Sequence, residues 1–382
     1  MIFGKYVLAL LSILVSSPVM ALEYSSNALI DVPADYPDLS AALLSPAVGG
    51  STIDFGATLT LQLAAGHEVY MAPIIISHPY GDRICIQGAA TITTPISNTA
   101  APGGTGGSWT VPLTVGSSAG VAVGDLVGIE NAAGPTYYGN HNGAWQVTAI
   151  PDGTHVTVLN TSYWTPSGPP AGATGTLRIY PTQLIFHGTS GIISGKLGCL
   201  ENVAIQGDRL GSNTMGVRDT DETREPGKLN LGPYALVNGF SADGVRANYG
   251  GMINANYVTS SGNGNNGFLA RDSAHLSCYY CIGSGNGWLA PPLSGGNGFL
   301  SELAASVYLW SSAAYGNLEV GMVSRTMSTL LCDTGAPCTS AINQIGFEAG
   351  IGPDYLQNQG GASRAYLNSQ SNNISTGGNL QE

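Results

Sequence analysis

Beyond residue 240 one pattern recurs along the chain: a glycine followed at once by a large apolar residue. It stands at Gly244-Val245, Gly267-Phe268, Gly298-Phe299, Gly321-Met322 and Gly346-Phe347, with spacings of 23, 31, 23 and 25 residues. Nine residues after each glycine come Ile253, Leu276, Val307, Leu330 and Tyr355. Nineteen after the first three come Asn263, Asn286 and Asn317, and Asn343 lies 22 after the fourth, which fits a three-residue insertion. The 31-residue spacing fits a 23-residue coil with eight extra residues within Gly287–Gly296. Between these marks apolar residues alternate over short runs bounded by Gly, Asn and Ser, the pattern of strands rather than helices. A fixed period of this kind marks a solenoid, whose coils cannot bury their apolar faces alone. Three short strands per coil suit the period. Val245, Phe268, Phe299, Met322 and Phe347 are then expected to form an internal ladder. The turn asparagines tolerate left-handed backbone and extend side-chain hydrogen bonds to the next coil. An up-and-down barrel is the alternative, but it gives no reason for the same offsets to recur.

The first half reads differently. Residues 1–21, MIFGKYVLALLSILVSSPVMA, combine Lys5, an apolar run and a small-residue cleavage site, which predicts a secretory signal peptide. Residues 34–45 place Tyr36, Leu39 and Leu43 on one helical face with Pro37 in the first turn, predicting a short helix that caps the first coil. Residues 105–178 break the coil pattern: GGSWTVPLTV, VGDLVGIENA, AWQVTAI and HVTVLN alternate as antiparallel strands do. They predict a small inserted β-barrel or hairpin module with Trp145 in its own core. The expected organisation is a signal peptide at 1–21, cap and first coils at 22–104, the insert at 105–178, the main solenoid at 179–370 and a frayed tail at 371–382.

Composition narrows the partners. The 382 residues include 54 Gly, and only 9% are charged, against about a quarter in an average domain. Twelve Lys and Arg stand against 24 Asp and Glu, a net charge of −12. That balance excludes nucleic-acid binding through a basic stripe and a polybasic membrane contact. No later segment is apolar enough to be inserted in a bilayer. No cofactor motif occurs, and Cys278-Tyr279-Tyr280-Cys281 lacks the second ligand pair that a zinc site needs.

The stretches NGFLARDSAHLSC, GNGFLSELAASVYLW and DGVRANYGGMINA, with PIIISHPYGDRICIQGAATI at 73–92, resemble right-handed parallel β-helix proteins of the pectate-lyase-like superfamily, phage tail-spike-like proteins among them. The resemblance covers most of residues 50–370 and speaks to fold more than to chemistry. It implies an all-β, right-handed parallel β-helix with a short N-terminal cap helix and a small inserted β-module, and a polysaccharide as partner. Three roles stay open: binding a polysaccharide together with its cleavage by a lyase or glycoside hydrolase route, a non-catalytic structural or adhesive surface role, and tail-spike-like receptor binding. The export signal points to a secreted, periplasmic or cell-surface bacterial protein, and it weighs against the third.

Nine of the charged residues fall within 208–228, which reads as one exposed loop. Hydrolysis of a glycan needs two carboxylates at the scissile bond, and Asp219, Asp221 and Glu222 are candidates. Arg218 and Arg224 are candidates for steadying negative charge. Asp243 and Arg246 are expected to join that face as substrate-binding residues, with Tyr137 and Tyr138 of the insert as sugar-stacking candidates. A solvated loop of weak surface ion pairs is the plainer reading. Arg271, Glu302 and Arg325, each four residues after its glycine, read as a structural charge ladder. Cys278 and Cys332 occupy equivalent positions two coils apart, too far to bridge. Cys332 and Cys338 flank a turn and are the expected disulfide, with Cys278–Cys281 a second choice and Cys85 and Cys199 unassigned.

Overall fold

The computed structural model describes residues 22–105, 108–133, 141–162, 170–219, 226–288, 295–333, 338–341, 343 and 345–349, and beyond these the short strands within 355–381. Each coil is built from three short strands. The first complete one after the charged stretch runs Val245–Ala247, Met252–Asn256 and Val258–Ser261, after which Phe268–Ala270 begins the next. Equivalent strands pair in parallel, and the stack forms three long sheets of nine, nine and eight strands. The first face runs from Gly66–Tyr70 through Thr182–Phe186 to Arg364–Tyr366. The second runs from Ile74–Ile76 to Asn373–Ile374, and the third from Lys196–Leu197 to Asn379–Gln381. A four-stranded parallel sheet of Ala28–Val32, Leu59–Leu63, Ile84–Gln87 and Cys199–Glu201 completes the N-terminal end. This is a parallel β-helix.

The expected ladder forms. Val245 pairs with Phe268, Phe268 with Phe299, Phe299 with Met322 and Met322 with Phe347, all buried. The rings of Phe268 and Phe299 stack at 4.8 Å. Ile253, Leu276, Val307 and Leu330 make a second buried row on the third face. In the next coil the register sets Leu356, and not Tyr355, beside Leu330, with Tyr355 beside Thr329. The coil after Gly346 holds one residue more than the fixed offset allows, and a slip of one residue moves a strand's side chains to the other face. The asparagines extend hydrogen bonds to the next coil as expected: Asn263 N–H donates to Asn286 Oδ1 at 3.1 Å, Asn286 N–H to Asn317 Oδ1 at 3.1 Å and Asn317 N–H to Asn343 Oδ1 at 2.9 Å. The left-handed backbone expected of them falls instead on the glycine before, at Gly262 (φ 62°), Gly285 (φ 61°) and Gly316 (φ 57°). The eight-residue excursion leaves and returns at one place, since a Cβ on Gly287 would meet Gly296 Cα at 2.6 Å.

The short helix Leu39–Leu44 buries Leu39, Ala42 and Leu43 at the N-terminal end, with Asp38 accepting from the Ala41 N–H at 2.7 Å as its N-cap. Between the strands Ile84–Gln87 and Thr182–Phe186 lies a separate antiparallel sheet. Its strand Ser108–Val115 pairs with both Ile92–Thr99 and His155–Asn160, which closes the sheet into a barrel. Trp145, Val111, Leu113, Val127 and Val158 fill it. The barrel begins at Ile92, ahead of the residue 105 expected from the sequence, because its first strand, ITTPISNT, is polar and holds Pro95. It docks on the outside of the first face. Ala144 N–H donates to Ser261 Oγ at 3.1 Å, Asn238 Nδ2 to Ala144 O at 2.6 Å and Ser284 Oγ to Asn142 O at 2.8 Å. A Cβ on Gly143 would lie 2.5 Å from Ser284 Oγ, so glycine lets the two surfaces approach. Disulfides join Cys332 to Cys338, as expected, and Cys85 to Cys199, while Cys278 and Cys281 are free and buried.

Candidate functional site

Where the third face turns into the first, successive coils carry a non-glycine residue with left-handed backbone just before the first-face strand: Tyr234 (φ 60°), Tyr257 (φ 51°), Tyr280 (φ 55°) and Ser311 (φ 47°). Such backbone suits Gly or Asn and is unfavourable for a bulky side chain. Three coils nonetheless carry tyrosine there. Coil stacking brings the rings together, with Tyr234 to Tyr257 at 5.3 Å and Tyr257 to Tyr280 at 4.8 Å and only 6° from parallel. The column stops at Ser311, whose small side chain supplies no next ring. Tyr257 and Tyr280 are 41% and 44% exposed. Beside them, on the third face, Tyr279 stacks on Trp310 at 6.0 Å and leans on Tyr308. Tyr308 donates its hydroxyl to Asp333, and that bond pushes its pKa up to about 12.

The step beyond Tyr280 opens into a cleft of about 340 Å³ between the column and the edge of the barrel. Ser311, Ala313 and Tyr315 form its solenoid side, and Glu130, Asn131 and Asn142 its barrel side. Glu130 accepts from Arg178 Nε at 2.7 Å and Nη2 at 3.0 Å. Arg178 Cζ in turn sits 3.8 Å from the centre of the Tyr234 ring, so the first rung of the column and the barrel's carboxylate are locked together. The cleft thus offers a ring face, small residues beneath it and a polar fringe. Glu130 is the one carboxylate among the described residues that line it.

The residues expected to form a charged, exposed catalytic face are only partly described. Asp221, Glu222 and Arg224 fall outside the described residues, as do Tyr137 and Tyr138. Asp219 does not sit in a solvated loop: it is fully buried, and its Oδ1 accepts the Asn248 N–H of the next coil at 2.9 Å. Its Oδ2 has no hydrogen-bond partner, and burial pushes its pKa up to about 7. A Cβ on Gly251 would fall 1.7 Å from that oxygen, so the next coil closes directly over it. Arg218 likewise keeps its Nε buried without a partner. Asp243 is buried too. It accepts from Asn266 Nδ2 at 2.8 Å and pairs with Arg246 at 3.3 Å, starting a ladder that Asn297 continues through Asn266 Oδ1. Both Asp219 and Asp243 therefore bind one coil to the next. The charges of Arg271 and Glu302 approach to 3.6 Å, and Arg325 pairs with Glu348 at 3.0 Å, as a structural ladder requires.

The tyrosine column was legible but unread. Tyr257, Tyr280 and Ser311 each lie thirteen residues after Gly244, Gly267 and Gly298, and Tyr234 precedes them by a further 23. Glu130 carried no such signal, because the barrel's place on the first face is set by long-range contacts.

No family profile matches the chain, and no curated protein matches it. Among solved structures it is similar to pectate lyase Pel9A, at 12% identity over 94% of this chain and 78% of that one, with a TM-score of 0.39. It is also similar to the Gp54 tailspike of Acinetobacter baumannii bacteriophage AP22, determined with a capsular saccharide, at 10% identity over 81% and 71% of the two chains and a TM-score of 0.18. The tailspike gp49 of Pseudomonas phage LKA1 matches at 10% identity over 93% and 78%, with a TM-score of 0.21. The β-helix assignment rests on the strand registers described above.

Proposed function

We propose that this protein is an exported β-helix that binds a polysaccharide at the open end of its tyrosine column. The observation that carries the reading is the column itself. Two parallel rings, Tyr257 and Tyr280, repeat at the strand spacing, and the next position holds no ring because Ser311 stands there. A pyranose ring seated over Ser311 takes the place of the next rung. Its apolar face lies on Tyr280, and its hydroxyls face Asn131, Asn142 and Glu130 of the barrel. Tyrosine at strained backbone, repeated on three coils, supports a role for the rings beyond packing. Two disulfides, Cys85–Cys199 and Cys332–Cys338, suit the oxidising compartment that the expected signal peptide addresses.

The reading is one of binding rather than cleavage. The two-carboxylate route needs a second acid within reach, and Glu130 is already held by Arg178 in two hydrogen bonds. Titration of the full-length mature protein against a panel of neutral and acidic oligosaccharides tests it. Tyr280→Ala is expected to weaken binding of the best ligand at least tenfold, about 1.4 kcal/mol. Equal affinity in the variant contradicts the assignment.

A further inference from the structure

On the opposite flank of the barrel a second cleft, of about 390 Å³, opens over the early strands of the first face. Its floor is the outward row Ile185, Gln206 and Asn238, which the sheet register places side by side. His67 and Gly124 wall it on the barrel side, and His187, Asp208 and Arg209 on the side of the turn toward the second face. Gln206 is 7% exposed, and its Oε1 is buried without a hydrogen-bond partner. His67 Nε2 lies 2.7 Å from Asp125 Oδ1, and Asp125 also accepts the Ala122 N–H at 2.7 Å. His187 Nδ1 lies 3.2 Å from Asp208 Oδ2. Against the cost of burial, the N–H groups of Gly188 and Leu210 and the His187 ring hold the Asp208 carboxyl below its usual pKa.

A carboxylate only accepts hydrogen bonds, so in each pair the bonded ring nitrogen carries the hydrogen. Gln206 Oε1 is an acceptor left open in the cleft, the carboxylates of Asp125 and Asp208 stand beside it, and the guanidinium of Arg209 lies over the Trp288 ring at 5.3 Å. Such a site calls for a ligand rich in donors and free of negative charge. We propose that this cleft is a second saccharide-binding site, which takes a neutral sugar unit through its hydroxyl groups. A sugar hydroxyl gives the buried Gln206 oxygen the donor it lacks, whereas a uronate meets Asp125 and Asp208. The inference takes its ligand class from the glycan-binding reading above, but it rests on different residues.

The experiment uses the mature full-length protein carrying Ser311→Tyr, which completes the column and fills the first cleft. Neutral hexasaccharides of glucose, mannose, galactose and N-acetylglucosamine are titrated by calorimetry, with hexagalacturonate as the acidic probe. At least one neutral hexasaccharide is expected to bind this variant, hexagalacturonate is not, and adding Gln206→Leu is expected to weaken the neutral ligand at least tenfold. Should Gln206→Leu fail to fold by circular dichroism, the exposed His187→Phe serves in its place with the same expectation. Unchanged affinity on these substitutions, binding of the acidic probe alone, or no binding to Ser311→Tyr overturns the second site. If the wild type and Ser311→Tyr bind every saccharide equally, the first cleft is the assignment that fails.

Discussion

Asp219 belongs to a cluster of charges in a charge-poor chain, a context that reads as a solvated loop, yet its carboxyl is buried under Gly251 of the next coil. Its pKa of about 7 has a sign that can be measured. The folded protein keeps a proton that the unfolded chain releases near the ordinary aspartate value of 3.8. Stability from this group is therefore fully present below about pH 4 and is lost as pH rises toward 7, by on the order of 4 kcal/mol at most. Melting temperatures from pH 4 to 8 should fall more steeply in the wild type than in Asp219→Asn, which cannot titrate. Parallel pH profiles for the two proteins contradict the assignment. At the same scale Tyr257 and Tyr280 show what a sequence conceals: their spacing is visible, but their left-handed backbone and the gap at Ser311 emerge only once the coils are stacked.

Among elements, the strand ladders were the most legible feature. Gly-apolar marks fixed four of the five internal positions on the third face and all five on the second, because each coil repeats the same inward residues. The miss at Tyr355 follows from one inserted residue, which a fixed count cannot detect. The same register explains the cysteines. Cys278 and Cys332 are separated by Leu309, two strand spacings, whereas Cys332 and Cys338 come within 5.9 Å between Cα atoms. Cys85 and Cys199 lie side by side on adjacent strands, a pairing that no count along the chain reveals across 114 residues. The ladder's energetic weight is open to test at Phe299, which is wholly buried and stacked on Phe268. Phe299→Ala removes that ring and is expected to cost about 3–5 kcal/mol in chemical denaturation. A loss below about 1 kcal/mol means that the ring is not part of the core.

For the whole molecule, the solenoid and the presence of an insert could be read from periodicity, but the placement of the barrel could not. It is held by Asn238, Ser261 and Ser284, small polar residues that on an isolated strand read as ordinary solvent-facing positions. That placement creates both clefts, one on each flank of the barrel. The most direct test is a crystal structure of the mature protein with its best-binding oligosaccharide. The account predicts a sugar ring parallel to Tyr280 and above Ser311, continuing the 4.8 Å rung of the column, with its hydroxyls on the barrel edge. A bound saccharide that leaves the Tyr280 face uncovered contradicts it.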